Sequence, residues 1–155
     1  MEHLSVGFIG FGLIGGSFAK ALKAHYGGDV TVSVYDTDAK SVAKAFEDGV
    51  ADRIISSVGP DFSVCDYIFL CAPVGANIEN ASKVRPFMKE GAVLTDVGSV
   101  KGQMQRSMVE MGFDDVFVGG HPMAGSERIG YLNSKENLFT NAYYIITRTE
   151  RTPDR

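Results

Sequence analysis

The stretch Val6-Gly7-Phe8-Ile9-Gly10-Phe11-Gly12-Leu13-Ile14-Gly15-Gly16 constrains this chain more than any other, because an apolar run meets a cluster of glycines almost at the N-terminus. It reads as strand, tight turn, helix. Only glycine turns there without a Cβ clash while letting a ligand's phosphates approach the backbone. Gly10, Gly12 and Gly15 therefore have the spacing of a dinucleotide-binding turn, with Phe11, Leu13 and Ile14 in the same stretch. Turns of this spacing also serve purely structural ends, so the context has to decide.

The context fits. Ile14, Phe18, Ala21 and Leu22 fall on one face of a helix that the spacing ends near Gly27-Gly28. Val30 to Tyr35 is β-branched and aromatic, reads as a second strand, and closes a βαβ unit at Asp36. Asp36 comes 21 positions after Gly15, the place and type of residue that accepts hydrogen bonds from an adenosine ribose. No arginine stands beside it, and a carboxylate there repels a 2′-phosphate, which favours NAD over NADP. Asp36 and Asp38 can both be read as helix caps; Asp38 takes that role here and Asp36 the ribose.

Further along, Val42, Ala45 and Phe46 form the inner face of a helix that Gly49 ends, and a short strand follows around Arg53 to Ser56. Tyr67 to Ala72 is a continuous apolar run of the kind a strand covered on both faces needs. Pro73 stops it at the carboxyl end, where ligand crevices lie in open α/β sheets. Ala72, Pro73 and Val74 are thus expected to line the cofactor site by backbone and shape. Ile78, Ala81, Val84 and Met88 space another helix, ended or kinked by Pro86. Ala92 to Asp96 is a strand, Met104, Met108 and Met111 mark a helix capped by Gly112, and Val116 to Val118 is a strand. Ser99 is well placed as the N-cap of the methionine helix. A last strand is expected at Ala142 to Thr147. The alternation implies an α/β fold with a doubly wound, mostly parallel sheet.

At 155 residues and 45% hydrophobic content the chain fits one domain. Its net charge of -4, with no basic block, argues against nucleic acid and anionic membranes and for small-molecule partners. No apolar run approaches the ~20 residues of a membrane helix and no signal peptide is evident, so a cytoplasmic location is expected. Cys65 and Cys71 lack the partners of a zinc site or a disulfide framework and read as buried thiols, so no metal is expected. His3 and His25 read as ordinary solvated histidines.

The loop Gly119-Gly120-His121-Pro122-Met123-Ala124-Gly125-Ser126-Glu127, rich in φ-permissive glycine, follows the strand at Val118. His121 lies at a carboxyl strand end, on the nicotinamide side, and its ordinary pKa suits proton abstraction near neutrality. A histidine that only bonds its own loop is the bland alternative.

The glycine turn, Asp36, the run Asp96-Val97-Gly98-Ser99-Val100-Lys101 and the loop Gly120 to Glu127 together resemble the prephenate and arogenate dehydrogenases of tyrosine biosynthesis, over nearly the whole chain. The resemblance implies a Rossmann-type NAD-binding domain and an oxidative decarboxylation. His121 would take the proton of the substrate's ring hydroxyl while hydride leaves for NAD, and Ser99 would bond that hydroxyl and hold His121 in line. Ser126 and Glu127 would shape the substrate mouth, with Glu127 gating access or polarising the site. Lys101 fits the motif, but reads equally well as a solvated helix residue and receives no role. The family also carries a C-terminal helical domain that forms a homodimer. The resemblance therefore implies that residues 1–148 are the NAD-binding domain and 149–155 a linker-like tail towards a domain missing here. Prephenate and arogenate stay open, as do two competitors: a β-hydroxyacid-type dehydrogenase, which leaves the histidine loop unexplained, and a non-catalytic NAD-sensing module.

Overall fold

A computed structural model describes residues 3–152. Its elements alternate: β1 (Leu4–Ile9), α1 (Leu13–Tyr26), β2 (Val30–Tyr35), α2 (Ala39–Glu47), β3 (Arg53–Ile54), β4 (Tyr67–Leu70), α3 (Val74–Val84), β5 (Val93–Asp96), α4 (Lys101–Glu110), β6 (Phe117–Pro122) and β7 (Tyr144–Thr147). The described residues form a sheet of order β3-β2-β1-β4-β5-β6-β7. All pairs are parallel except β6 with β7. This is the expected doubly wound, Rossmann-like sheet. Its strand order reverses between β1 and β4, which opens a crevice at their carboxyl ends.

Glycines punctuate the elements where the sequence places them. Gly27, Gly49, Gly91 and Gly112 all have positive φ, a conformation that costs other residues about 1–2 kcal/mol. Asp38 caps α2, its carboxylate accepting from the Lys40 N–H. Pro86 ends α3 and opens a 3-10 turn at Arg85–Phe87.

The core divides on the two faces of the sheet. On one, Val6, Phe8, Val32 and Val34 pack against Ala19 of α1 and Val42 and Ala45 of α2. On the other, Ile9, Ile68, Leu70 and Leu94 pack against Ala81 and Val84 of α3 and Met104 and Met108 of α4. The methionines are thus core filler. Phe46, expected on the inner face of α2, is 52% exposed. Its helix lies over the edge strand β3, only two residues long, so that flank of α2 has little sheet beneath it.

A second expectation fails at β4, which is not covered on both faces. Tyr67 is 43% exposed, and Phe69 is half-buried beside a cavity of about 480 Å³ that also touches Val93, Thr95, Val118 and Tyr144. Right-handed crossovers put α1 and α2 over β1 and β2, and α3 and α4 on the opposite face, so on the α1 side β4 is met only at its rim, where Phe18 of α1 lies 5.3 Å from Phe69, and no further described helix follows.

After β6 the chain returns across α1. Tyr131, buried, stacks on Phe11 at 5.4 Å and donates its hydroxyl to Asp48 at 3.0 Å. Gly16 makes room for this strap, since a Cβ there would lie 2.8 Å from the Tyr131 ring and 2.9 Å from Ser134. The segment from 149 onward, expected as a tail, is docked as far as Thr152. Thr149 bonds Asp114 O and Thr152, Thr152 bonds Phe117 O, and Arg151 pairs with Asp114. Residues 153–155 lie outside the described residues. Among the described residues no helix is long and apolar enough to cross a membrane.

Candidate functional site

The three glycines of the turn are needed for three different reasons. Gly10 has φ +92°, and a Cβ there would stand 2.6 Å from Ala72 N and 2.7 Å from Cys71 C. Gly10 thus lets the turn lie directly on the carboxyl end of β4. At Gly15 a Cβ would stand 2.8 Å from Gly10 O, so this glycine brings α1 down onto the turn. Around Gly12 there is nothing within 4 Å of a Cβ position. Gly12 starts α1 with no capping side chain and no acidic residue in the first turn, so the positive end of the helix faces open space. A pyrophosphate fits there, and nothing in the protein's own packing explains that glycine.

Phe11 contributes backbone only, because its ring is buried against Phe8 and Tyr131. Leu13 and Ile14 are half-buried in the first turn of α1. Asp36 leaves the end of β2 beside the turn, where its carboxylate accepts from Phe11 N–H at 2.5 Å and Asp38 N–H at 2.7 Å. Each oxygen keeps a lone pair for a ribose hydroxyl. Ala72 faces the turn, held by Asn77, whose amide accepts from Ala72 N–H at 3.0 Å and donates to Leu70 O at 3.2 Å. The sequence reading missed Asn77. Pro73 is exposed at the start of α3, and Val74 is half-buried, its Cγ2 3.7 Å from where a Gly98 Cβ would stand.

The ends of β5 and β6 carry the second half of the site. Asp96 is fully buried. One carboxylate oxygen accepts from Lys101 Nζ and from Gly98 N–H at 3.2 Å, and the other from Gly120 N–H at 3.3 Å. The Lys101 ammonium also donates to Gly120 O at 2.5 Å. Lys101 is therefore no solvated helix residue. His121, next in the chain, points Nδ1 at Val97 O, 3.4 Å away. A carbonyl only accepts, so this contact requires the proton on Nδ1, and in the neutral ring Nε2 keeps its lone pair.

β6 runs on through Pro122, so Gly119, Gly120 and His121 are strand, not loop. Neither glycine has positive φ. They are glycines because a Cβ on Gly119 would meet the Thr147 hydroxyl, and one on Gly120 would meet the Tyr144 hydroxyl and lie 2.8 Å from Asp96 O. Burial pushes the Tyr144 phenol up to about 12.

Ser99 is exposed, two residues beyond Val97, and is not the cap of α4; Val100 holds that position, with no side-chain bond. The helix begins one residue later than a Ser99 cap requires, at Lys101. Ser126 and Glu127 stand exposed beyond β6, and the Ser126 hydroxyl accepts locally from Arg128 N–H at 3.1 Å. The structure thus brings His121, Val97, Asp96 and Lys101 together and keeps Ser99 in the same segment. It leaves Ser126 and Glu127 outside that cluster. From the sequence, Asp96, Lys101 and Gly120 stood only as parts of two motifs with no role of their own, and Tyr144 was missed. A lysine opening a helix, against the dipole, was the one local signal.

Residues 18–155 match the family model described as prephenate dehydrogenase, nucleotide-binding domain. The chain belongs to that family. Among its relatives is a cyclohexadienyl dehydrogenase of Zymomonas mobilis, 32% identical over 98% of this chain and 51% of that protein. The solved prephenate dehydrogenase of Aquifex aeolicus, in complex with hydroxyphenyl propionate and NAD+, superposes with a TM-score of 0.89 at 35% identity, over 99% of this chain and 53% of that one. An arogenate dehydrogenase from Synechocystis superposes with a TM-score of 0.87 at 31% identity, over 97% of this chain and 52% of that one. The chain spans about half the length of each of these three relatives. The family match begins after the glycine turn, which the structural superpositions do include.

Proposed function

We propose that this chain binds NAD and serves as the cofactor half of an enzyme that oxidatively decarboxylates prephenate or arogenate. The observation that carries the reading is the His121 imidazole at the carboxyl edge of the sheet, whose Nδ1 contact leaves Nε2 free to act as a base. Gly12 and the first turn of α1 would hold the pyrophosphate, Asp36 the adenosine ribose, and Ala72, Pro73 and Val74 the wall of the crevice. When bound, the nicotinamide supplies the acceptor for a hydride. His121 Nε2 takes the proton of the ring hydroxyl, which raises electron density on the carbinol carbon as its hydride departs, and loss of carbon dioxide aromatises the ring. Ser99 donates to that hydroxyl, and Ser126 and Glu127 border the substrate. Residues 1–148 form the NAD-binding domain in this reading. The remaining substrate contacts and a homodimer interface come from a helical domain that follows 149–155, in a cytoplasmic enzyme.

Titration with NAD and NADP tests the cofactor assignment. NAD should bind at least about tenfold tighter, a difference of ~1.4 kcal/mol; equal affinities would remove Asp36 from the ribose role. Steady-state turnover of prephenate by this chain alone should be far below that of the complete enzyme, and equal turnover would contradict the two-domain reading.

A further inference from the structure

Asp96, Lys101 and Gly120 meet beside the carboxyl ends of β5 and β6, and the reading of His121 as the base leaves all three without a role. Asp96 and Lys101 are five positions apart, so their ion pair closes a loop that contains Val97, Gly98 and Ser99. The same pair grips Gly120 from both sides, the carboxylate accepting from its N–H and the ammonium donating to its carbonyl. His121 follows Gly120 in β6, and its Nδ1 faces Val97 O. Both partners of the contact that orients the imidazole are therefore anchored to one buried ion pair.

The local chemistry runs against a merely architectural origin. Lys101 opens α4 at the positive end of the helix dipole, where an acidic residue would be favoured, and the first turn holds none. A fully buried carboxylate and a nearly buried ammonium are costly to desolvate, and an apolar pair would serve packing as well. What an apolar pair cannot do is bind the N–H and the carbonyl of Gly120 together. It would also leave unsupported the loop that presents Val97 O.

We propose that Asp96 and Lys101 are positioning residues that lock His121 in the Nδ1–H tautomer and in register for proton abstraction, acting through Val97 and Gly120 without touching the substrate. The proposal rests on the reading of His121 as the base.

Long-range nitrogen NMR of the histidine rings in this chain, with His121→Asn to assign the signals, reports the tautomer without any substrate. The wild type should hold Nδ1–H. Lys101→Met should let both tautomers populate, and Lys101→Arg, which keeps a cation and several donors, should restore the wild-type pattern. The double variant Asp96→Asn/Lys101→Met leaves no unpaired buried charge and covers the case in which Lys101→Met fails to fold; it should behave like Lys101→Met. In the complete enzyme kcat should fall on the order of 100-fold with the KM for NAD within about twofold. A wild-type tautomer and kcat in the double variant would overturn the proposal. If the wild type lacks turnover, the reaction assigned above fails, and the tautomer readout still decides the fate of the positioning pair.

Discussion

The two ends of the candidate site are built by opposite means. At the β1–α1 turn the work is done by missing side chains: Gly10 and Gly15 let backbone lie on backbone, and Gly12 leaves room for a ligand. At the β5–β6 end it is done by side chains that reach across the chain, with Asp96 and Lys101 gripping Gly120 beside His121. A surface made of backbone can bind a cofactor but offers no titratable group. A buried ion pair can orient a base but depends on partners far apart in sequence. The comparison implies that substitutions at the first end sort by stereochemistry alone, while those at the second end are strongly coupled.

The largest effect should come from Gly10→Ala. Positive φ and a Cβ 2.6 Å from Ala72 N act together, so the loss of stability should be at least ~3 kcal/mol, read as a fall in Tm or a failure to fold. Lys101→Met should cost about 3–5 kcal/mol in denaturant unfolding, because it strands the Asp96 carboxylate. Asp96→Asn/Lys101→Met should cost much less than the sum of the single changes; additive costs would break the coupled picture of this end. Gly12→Ala should separate the ends most cleanly. With nothing within 4 Å of the new methyl, stability should change by less than ~0.5 kcal/mol, yet NAD affinity should drop about tenfold or more. Unchanged affinity would mean the open space is not the phosphate site. The smallest effect, about 1 kcal/mol, is expected from Asp38→Ala, which removes the α2 cap and leaves both ends intact.

Alkaline pH probes the scaffold that both ends share. Burial raises the Cys65 thiol from its ordinary 9.0 to about 11 and the Tyr144 phenol from 10.0 to about 12. Both are neutral in the fold and ionise more readily once unfolded, so their contribution is complete below pH 9 and disappears as pH rises through 11 to 12. Tm should fall steadily across that window, and a flat profile would show that neither group is desolvated.

The same contrast explains what was legible in the sequence. The turn could be read directly, because glycine spacing, the strand before it and Asp36 after it are local signals. So could most element boundaries, where glycines or Pro86 stop a helix. The second end showed His121 and Ser99 but not the contacts of Asp96 and Lys101 with Gly120. Gly120 lies 24 residues from Asp96 and 19 from Lys101, and only the parallel pairing of β5 with β6 brings them together. Gly119 and Gly120 were read as loop glycines because sequence does not separate a glycine needed for φ from one needed for clearance. Here Thr147 and Tyr144, on a strand more than twenty residues later, decide it. The open face of β4 escaped for a related reason: an apolar run records that a strand can be covered twice, while topology determines whether a helix is there to do it.

The central claim is that the β5–β6 end supplies the base and the glycine turn supplies only the cofactor. His121→Asn in the complete enzyme tests it most directly, because asparagine keeps a donor for Val97 O and removes the proton acceptor. The account predicts a fall in kcat of about 10²- to 10⁴-fold with NAD affinity unchanged. A kcat equal to that of the wild type would contradict it.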